Sequence, residues 1–365
     1  MRILFVVDNY MGGAGNIIQL LATEYAKTDE VTVLLTHKTI EKRYECPGVK
    51  FIAFDKSDMV RGLGAFLSQI HWVRWCVKEE NPDVIISFIT GNSIITCLGQ
   101  MFSRIPIIAC ERINPLVSIR KFPWNLLVRI AYDRADLLSV QFSDFVTLEG
   151  GRYVDKCRVT PNYVATPDRF KDHTSDSDVT RFVSCGRLSP EKQFPLLLEM
   201  FAEIHSREPK TELRIYGQGS QREMLEEKIS ELGLEGAASL AGYTSDTYGV
   251  LCDSDVYLMP SRNEGFPNAL SEALAVGLPS VSFGCHKGID ELLDNGRRGV
   301  SVAQNDREAF VAAALELCRD SEKRLAYSAA AKEVSEIYSM PVVKAIWDEC
   351  IKEACEKKRK AKIKK

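Results

Sequence analysis

The sequence predicts an α/β protein built as two doubly wound halves, each a parallel sheet with helices on its faces. Three observations predict it. Short apolar runs bounded by turns alternate with helix-period stretches through both halves of the 365 residues. The runs are continuously apolar rather than alternating, as strands buried on both faces are. The alternation pauses once, at 161–180, in polar text that includes Val164-Ala165-Thr166-Pro167-Asp168 and Lys171-Asp172-His173-Thr174-Ser175-Asp176-Ser177-Asp178. That is a linker composition. Each half is long enough for its own core. The expected domains are 1–168 and 169–338, followed by a helix over 339–356 and a basic tail, 357–365.

Element by element, 3–7 is a strand, 16–26 a helix and 31–35 a strand. An amphipathic stretch at 61–78 leads to a strand at 84–88, a helix at 93–102, and strands at 105–109 and 137–140. After the break come a strand at 181–184, a helix at 194–205, a strand at 212–216 and a helix at 221–232. Strands at 239–241, 256–259 and 280–283 complete the second half. In such sheets ligands bind beyond the carboxyl ends of the strands, here in a cleft expected between the halves.

Composition excludes several classes. A net charge of −3 and a pI near 6.1 argue against general nucleic-acid binding. No apolar run approaches the ~20 residues of a membrane span, and the N-terminal run meets Asp8 too early for a signal peptide. The eleven cysteines are scattered without a Cys-x-x-Cys pair, as reduced thiols of a cytosolic protein are. Cys350 and Cys355 point to different helix faces, which favours packing over a metal.

The densest chemistry lies in Ser261-Arg262-Asn263-Glu264-Gly265-Phe266-Pro267-Asn268-Ala269-Leu270-Ser271-Glu272-Ala273. A strand ending in Met259-Pro260 feeds a polar turn, and 267–276 reads as a helix with Pro267 in its first turn. Free amides at that helix start suit an anion such as a diphosphate. Glu272 lies roughly 8 Å along the axis from Pro267. Glu264 and Glu272 would then flank a bound diphosphate, one toward each end of a sugar nucleotide; a loop carboxylate and a solvated helix face are the plain alternative. A second constellation is Cys185-Gly186-Arg187-Leu188-Ser189-Pro190-Glu191-Lys192 at the end of a strand. Arg187 and Lys192 would neutralise a departing diphosphate; solvated cations are the plain alternative. Tyr10-Met11-Gly12-Gly13-Ala14-Gly15-Asn16 is a Gly-rich turn before a helix. Ile18 occupies the third glycine position of a nicotinamide fingerprint, and Leu35-Thr36-His37 lacks the ribose-gripping acid. NAD binding fits poorly.

Glu-x7-Glu within Ser-x-x-Glu-Gly-Phe-Pro-Asn, after a strand ending Met-Pro-Ser, resembles the donor-site signature of retaining GT-B glycosyltransferases of family 4. Gly-Arg-Leu-x-x-Glu-Lys at 186–192 closely matches that family's phosphate motif. The resemblance implies two Rossmann-like domains facing a central cleft, an acceptor domain first and a donor domain second. It implies transfer of a hexose or N-acetylhexosamine, with retention, from a nucleotide diphosphate sugar, UDP ahead of GDP. Arg187, Lys192 and Glu264 would be catalytic and Glu272 would hold the ribose. Gly12, Gly13, Gly186, Gly217, Tyr243, Gly265, Phe266, Pro267 and Asn268 would bind the donor. On the acceptor or sugar side, Gly15, Glu111 and Arg112 are implied, with Glu111 standing where many members have His; an Arg–Glu pair that only braces the loop fits equally. The acceptor would be a polyprenyl-diphosphate-linked saccharide at the inner face of a bacterial membrane. The helix at 342–353 would cross back onto the first domain. No metal or cofactor is expected: Asp253-Ser254-Asp255 mimics a metal-holding Asp-x-Asp, but it precedes a buried strand.

Two segments could touch an anionic membrane surface. One is 116–130, which mixes Arg120, Lys121 and Arg129 with Phe122 and Trp124; a buried helix fits it equally. The other is the basic run 356–365, for which a solvated tail fits equally. The rival functions are a sugar-nucleotide epimerase of the same fold and a non-catalytic nucleotide or glycan binder.

Overall fold

A computed structural model of the chain describes residues 1–8, 12–37, 46–54, 62–115, 122–172 and 179–363. The chain forms two compact units, Met1–Asn162 with Pro341–Lys365, and Tyr163–Met340.

The first unit is a seven-stranded sheet: β1 (Arg2–Val7), β2 (Glu30–Leu35), β3 (Val49–Ala53), β4 (Val84–Phe88), β5 (Ile107–Cys110), β6 (Leu137–Val140) and β7 (Cys157–Val159). Their order is β3-β2-β1-β4-β5-β6-β7, every pair parallel. Strands β4, β5 and β6 are buried along their whole length, which is why they read as apolar runs interrupted only by Ser87 and Ser139. Strands β3 and β7 sit at the sheet edges, only partly buried. The apolar signal there is too short to stand out, and both are absent from the sequence reading.

The second unit has six parallel strands: β8 (Thr180–Cys185), β9 (Thr211–Tyr216), β10 (Ala238–Gly242), β11 (Val256–Met259), β12 (Ser280–Gly284) and β13 (Val300–Ala303), in the order β10-β9-β8-β11-β12-β13. The core combines the apolar face of the helix Phe194–Arg207 (Phe194, Leu197, Leu198, Phe201) with Phe182, Leu258 and Phe283 of the strands.

The unit boundary falls at Asn162/Tyr163 rather than 168/169, because 163–171 is tied into the second unit. Val164 is buried and its N–H donates to the Tyr338 carbonyl at 3.0 Å. The Tyr248 hydroxyl donates to the Ala165 carbonyl at 3.2 Å, and Lys171 Nζ pairs with Asp255 at 2.8 Å. At the other end, the helix Met340–Ile363 packs on the first unit. Trp347 is buried against Phe88, ring centres 5.8 Å apart, and the Tyr25 hydroxyl donates to Asp348 at 2.8 Å. This helix continues unbroken through most of the expected tail. Lys357 pairs with Glu353 at 2.9 Å and Lys358 with Asp136 at 3.1 Å, so these two cations are not loose in solvent.

Strand order reverses between β1 and β4 in the first unit and between β8 and β11 in the second. Those reversals part the loops on either side and leave a crevice at the carboxyl edge of each sheet.

Candidate active site

At the reversal of the second unit, the loop leaving β8 meets the loop leaving β11. The Arg262 N–H donates to the Glu191 carbonyl at 2.9 Å and joins them. The β8 loop is itself seated on the turn after β9: Gly186 N–H donates to Tyr216 O, and Leu188 N–H to Gln218 O, both at 2.9 Å. This seat requires glycine. Gly217 has φ +148°, and a Cβ there would lie 1.8 Å from the Gly186 carbonyl oxygen. A Cβ on Gly219 would lie 2.2 Å from the Leu188 carbonyl oxygen.

Across the two loops, Lys192 Nζ bonds Glu264 Oε1 at 2.6 Å, with Glu264 buried. Arg187 is exposed, and its guanidinium enters no ion pair among the described residues. Glu272 sits in the second turn of the helix Asn268–Ala275, half-buried and without a charged partner. Burial alone pushes its pKa up to about 7. Tyr257 of β11 is wholly buried and its hydroxyl donates to the Cys185 carbonyl at 3.4 Å. Burial pushes its phenol well up, with further contributions from Cys185, Glu264 and Glu272.

Two expectations need correction. The helix starts at Asn268, and Pro267 lies outside it with ψ 80°. Its carbonyl accepts the Ser271 N–H at 3.0 Å, while the Asn268 N–H is already given to the Phe266 carbonyl at 2.9 Å. Fewer amides therefore face an anion than a helix beginning at Pro267 would offer. The Phe266 ring is also unavailable to a donor: it is buried edge-on against Tyr338, centres 5.7 Å apart, and anchors the loop so that Gly265 and Glu264 hold position. Tyr243, just after β10, is exposed.

His286 belongs to this neighbourhood and was not foreseen. It follows β12, the strand next to β11, and its Nδ1 accepts the Gly288 N–H at 3.0 Å, capping the helix Lys287–Leu292. Burial lowers its pKa to about 4, opposed by Glu264 and a backbone hydrogen bond to Gly265. The ring is neutral at pH 7 with its proton on Nε2. Only sheet order brings it here; no spacing in the sequence reports it.

In the first unit, Gly12, Gly13 and Gly15 open the helix Gly12–Tyr25 after β1; the preceding 9–11 lie outside the described residues. Glu111, at the end of β5, is buried, accepts the Thr90 hydroxyl at 2.8 Å, and donates its N–H to Ser139 O at 2.9 Å. Ile89, at the end of β4, has φ +72°, a strained conformation for a β-branched residue. Arg112 does not face an acceptor. Its guanidinium donates to Thr160 O and Ser139 Oγ, both at 2.8 Å, and stacks 5.1 Å from the Phe88 ring and 5.4 Å from Trp347. It is a brace under the β5 loop.

Asp253 and Asp255 are engaged by Arg169 and Lys171, at 2.5 and 2.8 Å. Among the described residues no cluster of three metal-ligating side chains occurs. All eleven cysteines are free. Among the described residues no helix is long and apolar enough to cross a membrane. A groove of about 1230 Å³ opens at the amino edge of the first sheet, between Phe102, Arg104 and the helix Met340–Ile363. None of the site residues named above lines it.

Comparison with known proteins agrees with this layout. Residues 166–334, nearly all of the second unit, match the family model for glycosyl transferases group 1. An α-1,4-N-acetyl-D-galactosaminyltransferase of Campylobacter jejuni, named for a PP-undecaprenol-linked acceptor, is 25% identical over 88% of this chain and 90% of its own length. An exopolysaccharide phosphotransferase of Streptomyces coelicolor is 25% identical over 97% of this chain, which spans only 41% of that relative. The Anabaena protein HepE, solved with UDP, superposes with a TM-score of 0.79 at 19% identity, covering 96% of this chain and all of HepE. The fold is that of GT-B glycosyltransferases: two Rossmann-like parallel-sheet units.

Proposed function

We propose that this chain is a retaining glycosyltransferase of the GT-B type and of family 4. In this reading it moves a hexose or N-acetylhexosamine from a UDP-sugar to a lipid-linked saccharide in bacterial glycan synthesis. The observation that carries the reading is the Lys192–Glu264 pair at the strand-order reversal of the second unit, inside the segment matching glycosyl transferases group 1. Glu272 stands on the helix that follows the β11 loop, and Arg187 in the loop leaving β8.

In this reading the donor diphosphate enters between the loops and draws Lys192 from Glu264. Arg187 and Lys192 stabilise the negative charge that grows on the diphosphate as the glycosidic bond breaks. Glu264, released, orients the hexose and stabilises positive charge at the anomeric carbon. Glu272 accepts from the ribose hydroxyls. The donor phosphate, rather than a side chain, takes the acceptor proton. No metal is needed, since two cations already serve the diphosphate. The name of the Campylobacter relative and the UDP bound to HepE support the acceptor class and the nucleotide.

The test is a screen of UDP- and GDP-sugars for protection against thermal unfolding, then turnover with a polyprenyl-diphosphate saccharide. UDP-sugars should protect, and Lys192→Ala and Glu264→Ala should each abolish transfer while the protein stays folded. Turnover near the parent level in either variant would remove the assigned roles. Epimer formed from donor alone, without acceptor, would favour the epimerase instead.

A further inference from the structure

The groove of about 1230 Å³ at the amino edge of the first sheet takes no part in the chemistry above. Its floor is apolar, with Ile3, Pro106 and Ile351 all buried. One wall is the turn carrying Phe102, 95% exposed, and Arg104; the other is the helix Met340–Ile363. Its volume exceeds the ~300–1,000 Å³ of a small-ligand pocket. The polar groups around the floor are also engaged already. The Met1 ammonium donates to Asp29 at 2.7 Å, the Arg2 N–H to Asp83 at 2.8 Å, and Lys358 pairs with Asp136 at 3.1 Å. Arg134 donates to the carbonyls of Gln100, Ser103 and Ile105 at 2.8, 2.9 and 3.2 Å. A small molecule needs convergent polar groups to orient it, and these converge on each other. The groove suits protein side chains instead.

The helix wall identifies the partner by its charge pattern. Asp348, Lys352, Glu356 and Arg359 line the groove, and all four are exposed. Steps of four, four and three residues keep them on one stripe of the helix. Along that stripe the signs run minus, plus, minus, plus. Among the described residues Lys352, Glu356 and Arg359 enter no ion pair, and Asp348 is shared with Lys344 at 2.8 Å. Laid antiparallel on a copy of itself, the stripe reads plus, minus, plus, minus. Lys352 then meets Glu356 of the other copy, and Asp348 meets Arg359, so a two-fold axis generates four pairs of opposite sign. The midpoints of the two pairings differ by half a residue, about 0.75 Å along the helix. A peptide of one sign would meet like charges at every second position.

Shape and position support the same partner. A lone exposed Phe is ordinary, but Phe102 stands on the wall of the groove that the copy would enter, the place of an aromatic anchor. Eighteen residues line the groove, just short of the roughly 20–30 that each side of a stable interface uses. That sets the contact in the weak range, with a dissociation constant on the order of 10 μM. The amino edge is opposite the carboxyl edge where Glu111 follows β5, so pairing leaves that edge open.

We infer that the amino-edge groove of the first unit is a two-fold contact between two copies of this chain. It is centred on the stretch from Asp348 to Arg359, with Phe102 as its apolar anchor. The contact uses none of the donor-site residues and stands or falls separately from the proposed function.

The test is sedimentation velocity of the full chain from about 1 to about 100 μM. The parent should pass from monomer to dimer over that range. Lys352→Glu turns two attractive pairs into repulsive ones, and Glu356→Lys does the same; each should raise the dissociation constant about tenfold or more. Mixed in equal amounts, these two variants should dimerise with each other as the parent does, because each supplies the sign that the other lacks. Phe102→Asp should raise the constant about tenfold as well. Melting temperatures should stay at the parent value, since all three residues are exposed. Should Phe102→Asp not fold, the two helix variants and their mixture give the full readout. A parent still monomeric at about 100 μM, single variants that dimerise like the parent, or a mixture that stays monomeric would each overturn the inference. So would a parent that grows into longer assemblies, since a two-fold contact closes at two copies.

Discussion

Replacing Glu272 with Gln should make the unliganded protein more stable and its donor complex weaker. The Glu272 carboxyl is desolvated without a compensating cation, and its pKa stands at about 7 against an ordinary 4.5. The folded protein thus holds a proton that the unfolded chain releases. Between those two values stability falls as pH rises, and above about pH 7 the loss is complete. At ~1.4 kcal/mol for each tenfold change in proton affinity, the loss is on the order of 3 kcal/mol. Gln keeps the shape and removes the charge. Urea unfolding of the parent and Glu272→Gln should give equal stabilities near pH 4.5, diverging by up to about 3 kcal/mol near pH 8. His286, lowered from 6.5 to about 4, adds a slope of opposite sign over much of the same range, but both proteins carry it and it cancels in their difference. Added UDP should raise the melting temperature of the parent more than that of the variant, because only the ionised acid accepts fully from two hydroxyls. Parallel pH profiles, or a variant less stable near pH 8, would refute the reasoning.

The remaining predictions concern the framework of the site. Gly217→Ala would force a Cβ against the Gly186 carbonyl; urea unfolding should show a loss of about 3 kcal/mol or more. Arg112→Lys should cost about 2–4 kcal/mol, since an ammonium cannot replace the guanidinium that is bonded to Thr160 and Ser139 and stacked on two rings. Protection by UDP should survive it; a fully stable variant with lost acceptor affinity would return Arg112 to the acceptor side. Lys192→Ala should lower stability by about 1–3 kcal/mol by leaving Glu264 buried and alone. Adding Glu264→Gln should recover part of that loss in a double-mutant cycle.

The elements legible in the sequence are those buried on both faces. Strands β4, β6 and β11 are apolar runs broken at most by one serine, and their limits follow directly from the residues. Strands β3, β7 and β13 lie at sheet edges, where a short run with one wet face carries little periodic signal. The site divides along the same line. Gly186 to Lys192 and Glu264 to Glu272 each lie close in sequence, so each group is legible as a motif by its resemblance to a known family, though its spacing alone says little. His286 and Tyr257 join them only through strand order, which no local pattern encodes. Arg112 shows the limit of local pattern. A cation beside an acid after a strand reads equally as a sugar contact or as a brace, and its partners, Trp347 and Thr160, are distant in the chain.

The return of the helix Met340–Ile363 to the first unit has a consequence for biogenesis. The second unit is nested within the first, its ends pinned together by the Val164–Tyr338 hydrogen bond. Nested units invert the usual order in which domains mature on the ribosome. The part translated first stays incomplete, without Trp347 over Phe88 and Arg112 or Glu353 beside Arg158 at 2.7 Å, until the part translated last emerges. A nonsense codon shortly after 340 would therefore spare the nearby nested unit and cripple the one whose coding began some three hundred codons earlier.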